Sequence, residues 1–173
     1  MIRCCIADRS VGSIENVDWV QIRDKELWGR ELLDLVRRVM ALPNAVRVLV
    51  NTRVDVAIAA GAAGVHLPAG SVAASEWRAI TPPGFLIGVS CHGFEDVVRA
   101  EAEGADYVVF GPVFSPLSKT SDLAPRGLGE LARVARAVKI PVLALGGITW
   151  ENAAACVDAG AAGVAGITMF ARP

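Results

Sequence analysis

The sequence has few aromatic residues and almost no net charge. Aromatic residues make up 6% of its 173 residues, and the formal net charge at pH 7 is -1. Proteins that bind nucleic acid or an anionic membrane through charge are usually basic, so we expect neither as a partner. No segment reaches the ~18 uncharged apolar residues of a membrane span, and the N-terminal residues lack a signal-peptide pattern. A cytoplasmic protein is therefore expected.

Cysteine is also scarce. The four cysteines are Cys4, Cys5, Cys91 and Cys156, and their spacing fits neither a zinc site nor a disulfide framework. Small apolar residues are abundant instead, since 53% of the chain is hydrophobic and 17 residues are glycine. These proportions predict one globular domain over residues 1–173, with a core built mainly of Ala, Val, Leu and Ile.

One short motif, Gly-Ala-x-x-Val, occurs at 61–65, 104–108 and 160–164. Each copy places glycine after a helical stretch and an apolar strand directly behind it, as in the loop that leads from a helix to a strand. Repetition of this unit predicts parallel strands joined by helices. We expect an α/β fold, a single (β/α)8 barrel that is shortened, because such barrels usually take ~200 residues or more. A doubly wound sheet is the alternative, disfavoured because no Gly-x-Gly-x-x-Gly opens the first helix.

Hydrophobic patterning places the elements along the chain. Strands are expected near 2–7, 18–22, 46–50, 64–67, 86–90, 107–110, 142–145 and 163–167. Helices are expected near 27–41, 53–60, 72–80, 93–103, 127–138 and 150–159. The connection 9–17 has little helical pattern, and no helix is expected after the last strand.

Two of the apolar runs, the last two along the chain, lead into Gly-Ile-Thr. Barrels often build a phosphate site after strands 7 and 8, and glycine lets backbone N–H groups approach a ligand closely. We therefore predict a phosphate site at Gly146, Gly147, Ile167 and Thr168. The alternative is that these glycines only make tight turns.

Polar side chains follow the ends of strands 2 and 3, on the side of a barrel that usually carries the site. Gln21, Arg23 and Lys25 can point the same way because side chains alternate along a strand. The planar fork of Arg and the point charge of Lys suit a phosphate or pyrophosphate. Asn51 and Arg53 are candidates for the same mouth. Ordinary surface charges are the alternative.

The candidate catalytic residues are Ser90, His92 and Lys119. His92 could act as a general acid or base near neutral pH, and capping of the following helix by Ser90 or His92 is the alternative. Lys119 lies in a long Ser- and Pro-rich loop from which it could reach an anionic ligand. His66 lies inside an apolar strand and is expected to be a hydrogen-bonded core residue.

Six short motifs occur in order along the chain. They are Gln21-x-Arg23-x-Lys25, Asn51-x-Arg53-Val54-Asp55, Gly64-Val65-His66-Leu67, Val89-Ser90-x-His92, Ala105-Asp106-Tyr107-x-x-x-Gly111-Pro112-Val113-Phe114 and Gly146-Gly147-Ile148. Together they resemble the superfamily of thiamine phosphate synthase and the TenI-type thiazole tautomerase. The similarity runs over residues 2–170 and implies a barrel that forms a homodimer.

The resemblance also implies roles for the site residues. In the synthase, a pyrimidine pyrophosphate loses pyrophosphate, and a thiazole phosphate captures the resulting cation. The residues that would hold pyrophosphate are Gln21, Arg23, Lys25, Asn51 and Lys119. Those that would hold the thiazole phosphate are Gly147, Ile167 and Thr168. Ser90 would face the reacting groups.

The chain departs from both branches of this superfamily. The synthase has magnesium carboxylates where this chain has Thr52 and Ser71. Neither hydroxyl supplies the anionic oxygen that Mg²⁺ prefers, so we expect no metal site and no cofactor, with magnesium only if synthase activity is retained. Residues 68–71 resemble the tautomerase branch, whereas Pro112 stands where the tautomerase has its catalytic histidine.

These observations lead to one expected function and two alternatives. The expected function is that of a TenI-like protein of thiamine biosynthesis, which binds a phosphorylated thiazole and tautomerises it. His92 or Cys91 would move the proton, a step that needs an acid and a base but no metal. The first alternative is a thiamine phosphate synthase with an altered metal site. The second is a catalytically silent phosphate-binding or regulatory protein.

A homodimer is also expected from the barrel itself. Parallel strands are apolar on both faces, and the first and last strands would each lack a covering helix. Cys4, Cys5, Val164 and Ile167 would then lie partly uncovered on the outer surface. The sequence therefore predicts that a second subunit covers this seam.

Overall fold

The computed structural model describes residues 1–12, 14–43, 46–115 and 123–170. Within these ranges, eight parallel strands pair in sequence order and close into a barrel, which confirms the predicted fold. The strands are β1 (Ile2–Ala7), β2 (Trp19–Ile22), β3 (Arg47–Asn51), β4 (Gly64–Leu67), β5 (Leu86–Cys91), β6 (Tyr107–Phe110), β7 (Val142–Leu145) and β8 (Gly163–Gly166). The helices are α1 (Gly29–Met40), α2 (Val54–Ala60), α3 (Ala74–Trp77), α4 (Phe94–Ala102), α5 (Gly127–Ala137) and α6 (Ala153–Asp158).

The helices cover the outer face of the barrel with apolar stripes. In α1 the buried residues are Leu32, Leu35, Val36 and Val39, which follow the i, i+3, i+4, i+7 spacing of one helix face. The repeated glycines at 61, 104 and 160 all have positive φ, which confirms that each copy of the repeat turns from a helix into a strand. None of the helices in the described ranges has the length and apolar character needed to cross a membrane.

Two helices are shorter than the pattern predicts. The region expected as helix over 72–80 forms only α3, which is followed by hydrogen-bonded turns up to Thr81, and the prolines at 82 and 83 end the helical backbone there. The helix expected from 150 begins at Ala153, because the Asn152 side chain accepts a hydrogen bond from the Thr149 N–H and holds a turn there. After β8, a 3₁₀ turn covers Thr168–Phe170, and Ile167 lies outside the strand.

The expectation of an uncovered seam between β1 and β8 is wrong. Cys4 points into the barrel interior, where it packs with Ile6 and Ala165 and is fully buried. Cys5 and Val164 are also buried, whereas Ile167 is 43% exposed just beyond the end of β8. Residue Ile14 of the 9–17 connection packs into the outer core and supplies cover where no helix was expected. A homodimer stays a prediction, which now rests on the family resemblance and not on an uncovered seam.

Close strand contact at the closure of the barrel depends on Gly163. A Cβ atom at this position would overlap the carbonyl group of Ile2 on the adjacent strand, where backbone cannot give way easily. By contrast, Gly129 in α5 has no atom within 4 Å of such a Cβ. A comparison of alanine substitutions at the two glycines therefore distinguishes the effect of close packing from the effect of alanine on backbone flexibility.

We expect Gly163→Ala to lower the free energy of unfolding by about 1–3 kcal/mol, the usual cost of overpacking. Gly129→Ala should instead raise it by up to ~1 kcal/mol, because alanine favours helix. Urea denaturation of both variants measures these changes. Equal stability of the two variants would contradict the close contact at the β1–β8 closure.

Candidate functional site

A cavity of about 750 Å³ opens at the carboxyl ends of the strands. All the predicted site residues that the structure describes line it. They are Gln21, Arg23, Lys25, Asn51, Arg53, Ser90, His92, Gly146, Gly147, Ile167 and Thr168. Lys119 lies outside the described residues. The parallel closed sheet thus brings together residues that are as far as 147 positions apart in sequence, from 21 to 168.

One side of the cavity, beyond β2 and β3, is cationic. Within the described residues, the side chains of Arg23 and Lys25 make no ion pair, whereas Arg53 is bound by Asp55 through two hydrogen bonds of 2.8 and 2.6 Å. Asp55 therefore balances the charge of Arg53. Two positive charges therefore face the cavity without a protein counter-ion among these residues.

Amides hold this side in shape. Gln21 is almost fully buried, and its Nε2 donates to Asn51 Oδ1 at 2.9 Å. Asn51 in turn donates from Nδ2 to Thr52 Oγ1 at 2.8 Å. The two amides that the sequence predicts to bind a ligand are thus also linked to each other, and their hydrogen bonds connect β2 with the end of β3.

The carboxylate of Asp24 also borders the cavity, but both of its oxygens already accept hydrogen bonds from within the protein. Arg9 donates two hydrogen bonds of 2.7 Å to its oxygens, and the Asp24 side chain is 3% exposed. The hydrogen bonds from Arg9 hold the pKa of Asp24 well below its usual range. Asp24 is therefore an ionised group whose charge is neutralised from outside the cavity. The alternation of side chains along β2 does not predict the pairing of Asp24 with Arg9, which lies 15 residues earlier in the sequence.

The residues present do not fit the magnesium site that the resemblance implies. Thr52 Oγ1 accepts from Asn51, and Ser71 Oγ donates to the carbonyl of Pro68 at 2.8 Å. Among the described residues, no cluster of three or more His, Cys, Asp or Glu side chains could hold a metal ion. Neutral hydroxyl groups replace the anionic oxygen ligands that Mg²⁺ prefers.

The opposite side of the cavity, beyond β7 and β8, presents backbone N–H groups. In the described part of the chain, the N–H groups of Gly147 and Thr168 have no hydrogen-bond acceptor. Asn152 braces the first of these turns, because its Nδ2 donates to the Gly147 carbonyl and its Oδ1 accepts from Thr149 N–H, both at 2.9 Å. Sequence reasoning missed Asn152, although an Asn three residues after Gly-Ile-Thr is a recognisable turn signal.

His66 is a residue of β4 and lies at the floor of the cavity. It is 2% exposed and hydrogen-bonded, which confirms the expectation of a core histidine. Its Nδ1 lies 3.1 Å from Tyr107 Oη, and its Nε2 lies 2.8 Å from Ser90 Oγ. Burial, with the nearby charge of Arg23, lowers the pKa of His66 to about 3. The ring is therefore neutral at physiological pH.

His92 is fixed in a different way. Its Nδ1 donates to the carbonyl of Gly111 at 2.7 Å, since a carbonyl oxygen can only accept. In a neutral ring, Nε2 then keeps its lone pair and can accept a proton. Helix α4 is preceded by Gly93 without a side-chain cap, so the capping role weighed for Ser90 and His92 is wrong.

The structure also excludes Cys91 as the proton carrier. Its side chain is 1% exposed and packs in the core outside the barrel, away from the cavity lining. Burial raises the pKa of the Cys91 thiol to about 12. The expectation that Cys91 could move a proton at the site is therefore wrong, because alternation along β5 points Ser90 to the mouth and its neighbour outward.

The family model described as thiamine monophosphate synthase matches residues 10–170. The chain belongs to this family. The thiamine-phosphate synthase of Methanoculleus marisnigri is 47% identical over 153 residues, which cover 87% of this chain and 72% of that protein. The thiamine-phosphate synthase of Chlorobium phaeovibrioides is 39% identical over 155 residues, covering 88% of this chain and 74% of that protein.

A solved structure supports the same assignment. The thiamine phosphate pyrophosphorylase from Pyrococcus furiosus superposes with a TM-score of 0.78 at 32% identity, covering 99% of this chain and 88% of that one. The resemblance to the thiamine phosphate synthase and TenI superfamily is thus confirmed, and the relatives support a role in thiamine biosynthesis.

We expect Asn152→Ala to weaken the binding of inorganic phosphate by up to roughly thirtyfold, because the turn at Gly147 loses two hydrogen bonds worth about 1 kcal/mol each. Isothermal titration calorimetry measures this change. Trp150→Phe serves as the control, since Trp150 lies in the same turn but outside the cavity lining. Equal affinities for the two variants would mean that Asn152 does not hold a phosphate site.

The metal position can be tested by restoring carboxylates. Thr52 has φ of +67°, a left-handed backbone that Asp tolerates better than a β-branched residue. We expect Thr52→Asp combined with Ser71→Asp to raise the affinity for Mg²⁺, measured by calorimetry, because two anionic oxygen ligands are added. Thr52→Asn with Ser71→Asn is the uncharged control. Equal Mg²⁺ affinity in the two double variants would show that these positions do not face a common ion.

Proposed function

We propose that the chain is a thiamine-phosphate synthase that joins a pyrimidine pyrophosphate to a thiazole phosphate. The observation that carries this proposal is that one cavity has two separate anion-binding sides. Arg23 and Lys25 form the first, and the N–H groups of Gly147 and Thr168 form the second. A reaction between two phosphorylated substrates uses both sides, whereas isomerisation of one phosphate ester uses only one. The names of the relatives favour the same reaction.

The first side suits the departing pyrophosphate. When its C–O bond breaks, the electron pair stays on oxygen, so negative charge grows on the leaving group. Arg23 can bind two oxygens of this group through its planar fork, and Lys25 adds a point charge. The nitrogen of the thiazole then supplies the electron pair for the new C–N bond, while its phosphate is held at Gly147 and Thr168.

Because Thr52 and Ser71 lack carboxylates, charge neutralisation falls to the chain's own cations. Arg53 contributes less than Arg23, because Asp55 already balances its charge. Lys119 stays a predicted contributor. The arrangement therefore predicts that Arg23 and Lys25 are more important for turnover than Arg53.

The tautomerase is the second candidate, and the geometry of His92 favours it. Its Nδ1 is held by the Gly111 carbonyl, so Nε2 can serve as a base at the cavity. Isomerisation of a thiazole moves one proton between carbon atoms and needs no metal. This candidate agrees with the hydroxyl groups at the two magnesium positions.

The deciding assay uses the purified protein with thiazole phosphate, with and without pyrimidine pyrophosphate, in the presence and absence of Mg²⁺. We expect thiamine phosphate to form, and Arg23→Gln to lower kcat by roughly 10²-fold, in line with the loss of one charge-stabilising group. Arg53→Gln is the matched control and should have a much smaller effect. Product formation is followed by chromatography.

Other outcomes identify the alternatives. Isomerisation without condensation, reduced roughly 10²-fold or more in His92→Ala, would replace the synthase by the tautomerase. Binding of the phosphate ligand without either reaction would identify a catalytically silent binding protein. Condensation that is equally sensitive to Arg23→Gln and Arg53→Gln would overturn the assignment of the first side.

A further inference from the structure

Three neighbouring strands carry a chain of hydrogen bonds from the barrel interior to the cavity. It starts at Tyr107 on β6, passes through His66 on β4 and ends at Ser90 on β5. Tyr107 is buried away from the cavity lining, His66 is buried at the cavity floor, and Ser90 lines the cavity. This series of hydrogen bonds therefore links Tyr107, which a ligand in the cavity cannot reach, with Ser90, which it can reach.

Gly88 makes this contact possible. His66, Gly88 and Tyr107 are direct partners in the register of β4, β5 and β6. A Cβ atom at Gly88 would overlap the ring of Tyr107, so only glycine lets the ring pass across β5 toward His66. Trp19 packs against the ring edge-on at 4.9 Å between centroids, and this contact fixes the ring from the interior side.

The direction of each hydrogen bond follows from the proton of Tyr107. Within the described residues, His66 Nδ1 is the partner of the buried hydroxyl group. A buried O–H without an acceptor costs ~1–3 kcal/mol, so Tyr107 donates to Nδ1. The neutral imidazole then carries its proton on Nε2, which donates to Ser90 Oγ. Ser90 therefore accepts a hydrogen bond from His66, and its own hydroxyl proton remains available to donate elsewhere.

We propose that Tyr107 and His66 are positioning residues that make Ser90 a hydrogen-bond donor toward a ligand oxygen in the cavity. The ligand class is an anion with terminal phosphate oxygens, and under the proposed function this is one of the two phosphorylated substrates. The orientation of the hydrogen bonds rests only on the geometry, whereas the effect on turnover rests on the proposed function.

This arrangement differs from a serine activated by histidine. In such a pair the histidine accepts the serine proton, so that the oxygen can attack a substrate. Here Nε2 holds its own proton and donates to the oxygen, which makes Ser90 a weaker nucleophile. The two histidines of the chain thus carry their protons on different nitrogens, Nε2 in His66 and Nδ1 in His92.

Long-range ¹H–¹⁵N correlation spectra of the full chain labelled with ¹⁵N-histidine test the orientation directly. The sequence has only two histidines, so His92→Gln assigns the signals. We expect His66 to show a protonated Nε2 and a bare Nδ1. In Tyr107→Phe, which removes the donor but keeps the ring, the protonated-Nε2 form should lose its dominance. Trp19→Phe is the control, because it changes the packing of the ring and leaves the hydroxyl group.

A protonated Nδ1 in the unmodified chain would overturn the proposal. An unchanged His66 spectrum in Tyr107→Phe would also overturn it. Circular dichroism confirms folding of each variant, and Tyr107→Phe preserves the ring that packs against Trp19. These spectra need no substrate, so they decide the orientation even if the chain does not make thiamine phosphate.

Kinetics test the positioning role separately. If Tyr107 and His66 act through Ser90, then Tyr107→Phe should lower kcat in the unmodified chain by roughly fivefold or more, the worth of about 1 kcal/mol. It should have little further effect in Ser90→Ala. If the losses in kcat of Tyr107→Phe and Ser90→Ala were additive in the double variant, the proposal that Tyr107 acts through Ser90 would be overturned. Correct spectra together with no condensation would refute the proposed function and leave the hydrogen-bond orientation established.

Discussion

Parallel closure of the barrel is the constraint on which the rest of the molecule depends. Because all eight strands run in one direction, every strand ends at the same mouth. Side chains from distant parts of the sequence therefore meet there, while the opposite end of such barrels serves stability. Closure requires strands to come close together, and glycine on β8 provides this where β1 and β8 meet.

Under the proposed function, the same constraint divides the site between two kinds of anion recognition. On β2 and β3 the strands end in long side chains, so charge is delivered by Arg23 and Lys25. On β7 and β8 they end in glycine, so the backbone itself faces the cavity. Side-chain charges act at long range, whereas N–H groups act only on contact. Under the proposed function, a mouth built in this way holds two anions on separate groups, so that the two anions do not compete for the same residues.

Much of the fold could be predicted from local pattern. The Gly-Ala-x-x-Val repeat and the apolar runs located the eight strands, because each is a property of neighbouring residues. The strand-end rule also found residues that line the cavity, from Gln21 to Thr168. Contacts across the barrel could not be predicted in this way. The inward position of Cys4 depends on strand register, and the bracing of Gly147 by Asn152 depends on the path of one turn.

His66 shows why the chemistry of a site is harder to predict than its location. Its sequence context, between Val65 and Leu67, correctly indicates burial. Whether a buried histidine is inert or directs a neighbour depends on what lies beside each ring nitrogen, and Gly88 on another strand decides this.

The turn after β3 keeps its shape without the carboxylate that the resemblance implies there. Thr52 N–H donates to the His66 carbonyl at 2.9 Å, and Arg53 N–H donates to the Asn51 carbonyl at 2.8 Å. These backbone hydrogen bonds hold the left-handed residue at 52 whatever its side chain. The backbone positions of Asn51 and Arg53 therefore need no metal ligand at 52, while the Thr52 hydroxyl group fixes the Asn51 side chain by accepting from its Nδ2 at 2.8 Å. Under the proposed function, anion binding at this turn therefore does not require a metal ligand at 52, because the backbone hydrogen bonds alone hold its shape.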